Sequence, residues 1–390
     1  MNSLCTDVGF LSINKHGEQL CGDHVEVAEG NDNSIVMVLA DGLGSGVKAN
    51  ILSTLTSKII STMIANHMSI EDCVTTVAST LPVCEKRGIA YSTFTIIHVI
   101  DQKIAEVIQY DNPKVILLRD GANCDYDMEQ IQLGDKKILQ SKIELEPGDM
   151  LIAMSDGAIY AGVGKTFNFG WQRQNIIEFL EVMYEDSYSS KVVSTILLEQ
   201  CAQLYANEPG DDTTIGAVKI RQRETINLLI GPPSDPCDLE TMLGQFFHQE
   251  GKHIVCGGTT SSLAANFLGK EIQTGFDYQD SEIPPIAKIQ GVDLVTEGVI
   301  TINRVLYYAK NYLVDNSSYS QWGYRKDAAS LISKLLFEEA TDINFYVGKA
   351  INPAHQNPIL PINFSIKMRL IDELSECLRK IGKRIHVSYF

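Results

Sequence analysis

Positive charge is scarce in this chain: 32 Lys and Arg stand against 49 Asp and Glu, a formal net charge of −17 over 390 residues, with no Lys/Arg-rich run. Neutralising phosphates supplies most nonspecific nucleic-acid affinity, so nucleic acid and anionic membrane surfaces are poor partners. Long apolar runs are also missing; nothing approaches the ~18 residues that span a bilayer. The start, MNSLCTDVGF, has neither the basic flank nor the apolar stretch of a signal peptide. A soluble, cytoplasmic protein is expected. Nine cysteines, an odd number, are scattered singly without a CxxC pair, which disfavours zinc and redox centres and predicts reduced thiols. None of the eight histidines has HxxxH or HExxH spacing, so they read as packing or surface residues. There is no internal repeat and no low-complexity tract.

What is present is ordinary globular composition, 44% hydrophobic and 21% charged. A length prior of about 100–200 residues per domain predicts two domains. The charged stretch Arg221-Gln-Arg-Glu-Thr marks the junction, giving domains over 1–222 and 225–390. The acidic excess serves either solubility or a gathering of carboxylates that hold cations.

In the first domain, Ser34–Ala40 is a continuous apolar run that reads as a buried strand ending in the turn Asp41-Gly-Leu-Gly-Ser-Gly46. Behind it Val47, Ile51, Leu52, Leu55, Ile59, Met63 and Ile64 recur at helical spacing and predict an amphipathic helix to Asn66. Ser69 and Asp72 fit a capping box opening a helix to about Arg87. Thr93–Ile100, Ile104–Tyr110 and Val115–Arg119 read as an antiparallel meander. Pro147-Gly-Asp149 turns into strand Met150–Met154, which ends in Asp156-Gly157. Helices near Gln172–Glu185 and Ser189–Asn207 precede Gly210-Asp-Asp-Thr-Thr and a last strand.

Three aspartates therefore sit at strand ends: Asp41 and Asp156, each before glycine, and Asp211, beside Asp212. Asp23, in Cys21-Gly-Asp-His24, is a fourth. Carboxylates and a backbone carbonyl are the donors Mg²⁺ and Mn²⁺ prefer, and glycine lets its carbonyl turn toward a cation. Asp-Gly is also the commonest turn dipeptide, so each occurrence alone reads as a turn; the order of all four carries the argument. Gly22-Asp23, then ADGLGSG, then LEPGDMLIAMSDG, then GDDTT resembles the signature of the type 2C metal-dependent protein phosphatases. The bacterial branch typified by the stage II sporulation protein E phosphatase is the most similar.

The resemblance covers about residues 5–220. It implies an α-β-β-α sandwich of two antiparallel sheets flanked by helices, and two divalent ions, Mn²⁺ or Mg²⁺. By position, Asp41 would bridge both ions, the Gly42 carbonyl would bind one, Asp156 and Asp211 would complete the other, and Asp23 would act on the metal-bound water or as a more distant ligand. The implied reaction is metal-dependent hydrolysis of phosphoserine or phosphothreonine on a regulatory protein, such as an anti-sigma-factor antagonist, with dimer contacts as a further expectation. Leu43 occupies the position where eukaryotic members carry a histidine acid, and no Arg precedes Arg87, which leaves the backbone at Gly44, Ser45 and Gly46 and the metals to hold phosphate. The alternatives are a catalytically silent scaffold of the same fold and a hydrolase of small phosphate esters.

The second domain reads as a layered α/β unit, with strands at Ile226–Ile230, Lys252–Cys256, Val292–Val295, Asn344–Val347 and Arg384–Tyr389. Gly258, Thr259 and Thr260 open a helix after a strand, a place where N–H groups can bind an anion or simply form a turn and cap. Thr296-Glu-Gly298 falls at the same sheet edge, and a regulatory or small-ligand-sensing role follows as the expectation. Gly162-Val-Gly164-Lys165-Thr166 ends like a phosphate-binding loop, but Ile159 holds the required first glycine position, so a mobile loop is the expectation.

Overall fold

The computed structural model describes residues 3–30, 34–80, 92–133, 136–274, 286–314, 316–350 and 363–390. The chain divides into two compact units, Met1–Gln222 and Arg223–Phe390. No helix among the described residues is long and apolar enough to cross a membrane.

The first unit contains β1 (Leu4–Ile13), β2 (Asp23–Glu29), β3 (Ile35–Gly42), α1 (Gly46–Ala65), α2 (Ile70–Thr80), β4 (Ser92–Ile100), β5 (Ile104–Tyr110), β6 (Ile116–Arg119), β7 (Ala122–Cys124), β8 (Glu129–Leu133), β9 (Lys136–Glu144), β10 (Met150–Met154), α3 (Asp156–Ile159), α4 (Arg173–Met183), α5 (Ser190–Leu204) and β11 (Thr213–Gln222). They form two antiparallel sheets, ordered β2-β3-β4-β5-β9-β8 and β1-β11-β10-β6-β7.

Both faces of each sheet are covered, so its central strands are apolar on both sides rather than alternating with polar residues. Met37 and Leu39 of β3, Ile97 and Val99 of β4, and Val107 of β5 meet Leu117, Leu151, Ala153, Val218 and Ile220 of the other sheet in a central core. The opposite faces pack Val36, Val38 and Ala40 against Ile60 and Ile64 of α1, and Ile152, Met154 and Ile215 against Ile177, Leu180 and Leu197 of α4 and α5. The result is the four-layered α-β-β-α sandwich, with each fully buried Leu, Ile or Val contributing about 1.5–3 kcal/mol.

Two local expectations need correction. The β4–β5–β6 meander stops at β5, because β5 pairs with β4 and β9 whereas β6 pairs with β10 and β7 in the other sheet. Asp111, at φ 54°, and Pro113 turn the chain across. Helix α1 keeps only part of the expected stripe: Ile64 is buried and Leu52, Ile59 and Met63 pack against the core, but Val47, Ile51 and Leu55 are exposed, while Ala49, Ser53, Thr56, Ser57 and Ser61 are buried. The approach is too close for larger residues there. A Cβ at Gly42 would lie 2.1 Å from the Ala49 carbonyl oxygen. The serines satisfy themselves, Ser53, Ser57 and Ser61 donating to the carbonyls of Asn50, Thr54 and Lys58. Half of the α2 capping box forms: the Asp72 amide donates to Ser69 Oγ at 3.1 Å, and the Asp72 carboxylate accepts from that hydroxyl at 2.9 Å instead of from the Ser69 amide. The expected continuation to Arg87 lies outside the described residues.

The second unit contains β12 (Thr225–Ile230), α6 (Leu239–His248), β13 (Lys252–Cys256), α7 (Gly258–Leu268), β14 (Gln273–Thr274), β15 (Ala287–Lys288), β16 (Leu294–Thr296), α8 (Val299–Val314), α9 (Tyr319–Trp322), α10 (Ala328–Ser333), β17 (Asp342–Val347), α11 (Asn363–Lys380) and β18 (Arg384–Tyr389). Strands β16, β13, β12, β17 and β18 are parallel, with β15 and β14 added antiparallel at one edge. This is a doubly wound α/β sheet whose order reverses between β12 and β17.

Candidate active site

Strand alternation places the first two carboxylates. Val25 and Val27 on β2 and Met37 and Leu39 on β3 face the central core; two residues beyond, on the same face, stand Asp23 and Asp41. The register sets Asp23 directly opposite Asp41, so their Cβ atoms are about 4.5–5.5 Å apart, a spacing at which like charges repel. Asp23 is 4% exposed and neither carboxylate oxygen has a hydrogen-bond partner. An unpaired buried carboxylate is costly, which makes this an unusual place for two acids.

The other sheet brings two more. At the end of β10, the Ser155 amide donates to the Thr214 carbonyl (3.0 Å) and the Thr214 amide donates to Ser155 Oγ (2.9 Å). That clip fixes where the chain turns into α3, which opens with Asp156. A Cβ at Gly157 would lie 2.1 Å from the Asp212 carbonyl oxygen, so only glycine lets this turn seat against the Asp211–Asp212 turn. Tyr205, at the end of α5, donates its hydroxyl to the Gly157 carbonyl at 2.8 Å.

Asp212 was not singled out from the sequence, where it is the silent half of an Asp-Asp pair. Its Oδ1 accepts the Lys15 amide at 3.0 Å, its Oδ2 is buried without a partner, and a Cβ at Gly22 would lie 2.7 Å from that oxygen. A side chain at 22 would press on a carboxylate nearly two hundred residues away, which spacing along the chain could not reveal.

The electrostatics agree with a crowded acidic pocket. Burial pushes the Asp41 carboxyl well above the usual carboxylate range, and Asp23, Asp156 and Asp211 push it further. Asp23 is raised chiefly by burial, and Asp212 and Asp156 add to it. Asp156 is raised by burial and by Asp211, and Asp211 by burial, with Lys15 opposing from 4.0 Å. Among the described residues no three Asp, Glu, His or Cys side chains close into a formed metal shell. The donor set nevertheless fits a hard divalent cation: anionic oxygens, two of them orphaned on Asp23 and one on Asp212.

The expected phosphate-binding backbone at Gly44, Ser45 and Gly46 carries left-handed φ angles at both glycines, 99° and 70°. Glu18 already faces this helix start, accepting from Ser45 Oγ at 3.1 Å, with Oε2 placed 2.7 Å from where a Gly46 Cβ would stand. An incoming phosphate there would have to displace a carboxylate. In the second unit, Gly258 and Thr259 are exposed at the start of α7, and Thr260 is buried with Oγ1 accepting the Gly231 amide at 3.0 Å. Ser261 and Ser262 donate to the Gly257 and Gly258 carbonyls. The Thr296 end of β16 lies beside the Cys256 end of β13, at the same sheet edge. Lys165 in the 160–170 loop donates to the Tyr205 carbonyl at 2.6 Å and pairs with Glu208 at 3.1 Å, so this loop is tied down rather than free.

Residues 31–221 match the family model of stage II sporulation protein E (SpoIIE). The N-terminal unit is a SpoIIE-type phosphatase domain. Among solved structures, the phosphatase domain of SpoIIE from Bacillus subtilis is 17% identical over 57% of this chain and 95% of that one, with a TM-score of 0.45. A longer SpoIIE structure from the same organism, with a regulatory fragment, gives 19% identity, 57% and 64% coverage and a TM-score of 0.49. The RsbU and RsbW domains of a Mycobacterium tuberculosis protein give 12% identity, 83% and 78% coverage and 0.45. No curated protein sequence matches. Within the SpoIIE-type domain, the four expected aspartates come from four separate chain segments at one end of the sandwich.

Proposed function

We propose that the SpoIIE-type domain hydrolyses phosphoserine or phosphothreonine on a regulatory protein, using divalent metal ions held by Asp23, Asp41, the Gly42 carbonyl, Asp156 and Asp211. The observation that supports this most is the direct pairing of Asp41 with Asp23, whose buried carboxylate oxygens are unpartnered, beside the Asp156 and Asp211 turns. Four carboxylates in one pocket repel one another unless a cation compensates them. When bound, two such ions would acidify a water and offset charge on the phosphoryl oxygens. The chain's own contribution is placement. The Ser155–Thr214 clip fixes the Asp156 turn, the Ser92 hydroxyl donates to the Asp41 carbonyl at 2.8 Å, and the Gly42 and Gly157 contacts let neighbouring segments close in. Leu43 is exposed and supplies no acid, so the leaving alkoxide takes its proton from water or from another group. The second unit is assigned a modulating role in this proposal.

The test is hydrolysis of phosphoprotein and of a generic phosphate ester with Mn²⁺, Mg²⁺ or EDTA, in wild type, Asp41→Asn and Asp156→Asn. Expected is metal-dependent turnover that falls at least ~100-fold in both variants. Folded protein that binds Mn²⁺ without turnover of any phosphoprotein would favour the silent scaffold, and preference for a nucleotide would favour the small-ester hydrolase.

A further inference from the structure

The turns that carry Asp156 and Asp211 belong to different parts of the sequence, and one buried side chain bonds the first and lies close to the second. Tyr205 is 4% exposed and packs in the core beneath α4 and α5. Its hydroxyl donates to the Gly157 carbonyl at 2.8 Å, and its Cε1 lies 3.5 Å from where a Cβ on Gly210 would stand. Gly157 follows Asp156, and Gly210 precedes Asp211. The Gly157 carbonyl needs this donor because α3 is a single turn: the Ala161 amide, which would continue the ladder, bonds the Ala158 carbonyl instead (3.3 Å). Tyr205 is itself anchored, since Lys165 donates to its carbonyl at 2.6 Å and its amide donates to the Cys201 carbonyl at 2.9 Å.

We infer that Tyr205 is a positioning residue for the metal site, setting the distance between the Asp156 and Asp211 carboxylates through its bond to Gly157 and the ring it places beside Gly210. This rests on the phosphatase reading above. Phenylalanine keeps the ring and its packing but removes the donor, leaving a buried carbonyl unpaired and the Asp156 turn free to shift. Carboxylates held slightly too far apart bind a cation less tightly, so the defect belongs in metal affinity rather than in the reaction once metal is bound.

The experiment compares the full chain with Tyr205→Phe by calorimetric titration with Mn²⁺, together with turnover as a function of Mn²⁺ concentration and thermal unfolding in EDTA. The expected result is a Mn²⁺ dissociation constant raised about 3–10-fold and turnover recovered at saturating Mn²⁺. Loss of turnover at every Mn²⁺ concentration with unchanged Mn²⁺ affinity would overturn it, as would wild-type affinity and turnover. To separate a general loss of stability, Lys219→Met, a buried substitution in the same sheet away from the site, should lower the unfolding temperature without moving the Mn²⁺ constant; an equal affinity loss there would also overturn the assignment. A wild type that does not bind Mn²⁺ at all would instead sink the phosphatase reading.

Discussion

Asp23 shows how the pocket trades stability for cation binding. With no hydrogen-bond partner and 4% exposure, its carboxylate is disfavoured in the metal-free fold, and burial raises its folded-state proton affinity. The raised value means that this group stabilises the fold below the unfolded carboxylate range, near pH ~4, and that this contribution is lost as pH rises through the folded value. Asp23→Asn in EDTA should therefore melt higher than wild type at pH 8, by a few degrees, with the gain shrinking as pH falls toward ~4. The stabilisation that Mn²⁺ gives wild type should disappear in the variant. Differential scanning calorimetry with and without Mn²⁺ checks both signs, and a lower unfolding temperature for the metal-free variant at pH 8 would contradict the account.

At the scale of elements, β3 and β10 were readable because they are covered on both faces and so appear as apolar runs: β10 spans Met150–Met154, as the sequence predicts. The edge strand β1 (LCTDVGFLSI) and the inner strand β9 (KKILQSKIE) were not, since they mix polar and apolar residues without a turn signal to frame them. The positions of Asp23, Asp41, Asp156 and Asp211 were legible from motif order, but Asp212, Tyr205 and Glu18 act through contacts that only the fold creates. Helix α1 misled for a physical reason, because its close approach at Gly42 reserves the inner face for small residues and turns Val47, Ile51 and Leu55 outward. Ile51→Lys should then change stability by no more than ~0.5 kcal/mol, whereas Gly42→Ala should cost several times that, both read from urea unfolding. A large loss for Ile51→Lys would mean that this face is covered in solution.

For the whole molecule, each compact unit has its own buried clusters, Met37 to Ile220 in the first and Leu229 to Tyr346 in the second. Cations bound at the aspartate pocket stabilise only the unit that holds it. Calorimetric unfolding should resolve two transitions of which Mn²⁺ raises one; a single transition moved as a whole would show the units to be energetically coupled.

The first strand of the phosphatase unit pairs with its last, Leu4 opposite Gln222, and β11 lies between β1 and β10. On the ribosome, the chain therefore makes β1 some two hundred residues before its partner emerges. Until then one sheet stays open along β1 and β10, and the Asp211 turn has not yet joined the pocket. A nascent chain stalled before residue 213 would hold Asp23, Asp41 and Asp156 yet lack the strand that draws them together. It would offer bare strand edges to chaperones, and to other copies of itself, in place of a partly active enzyme.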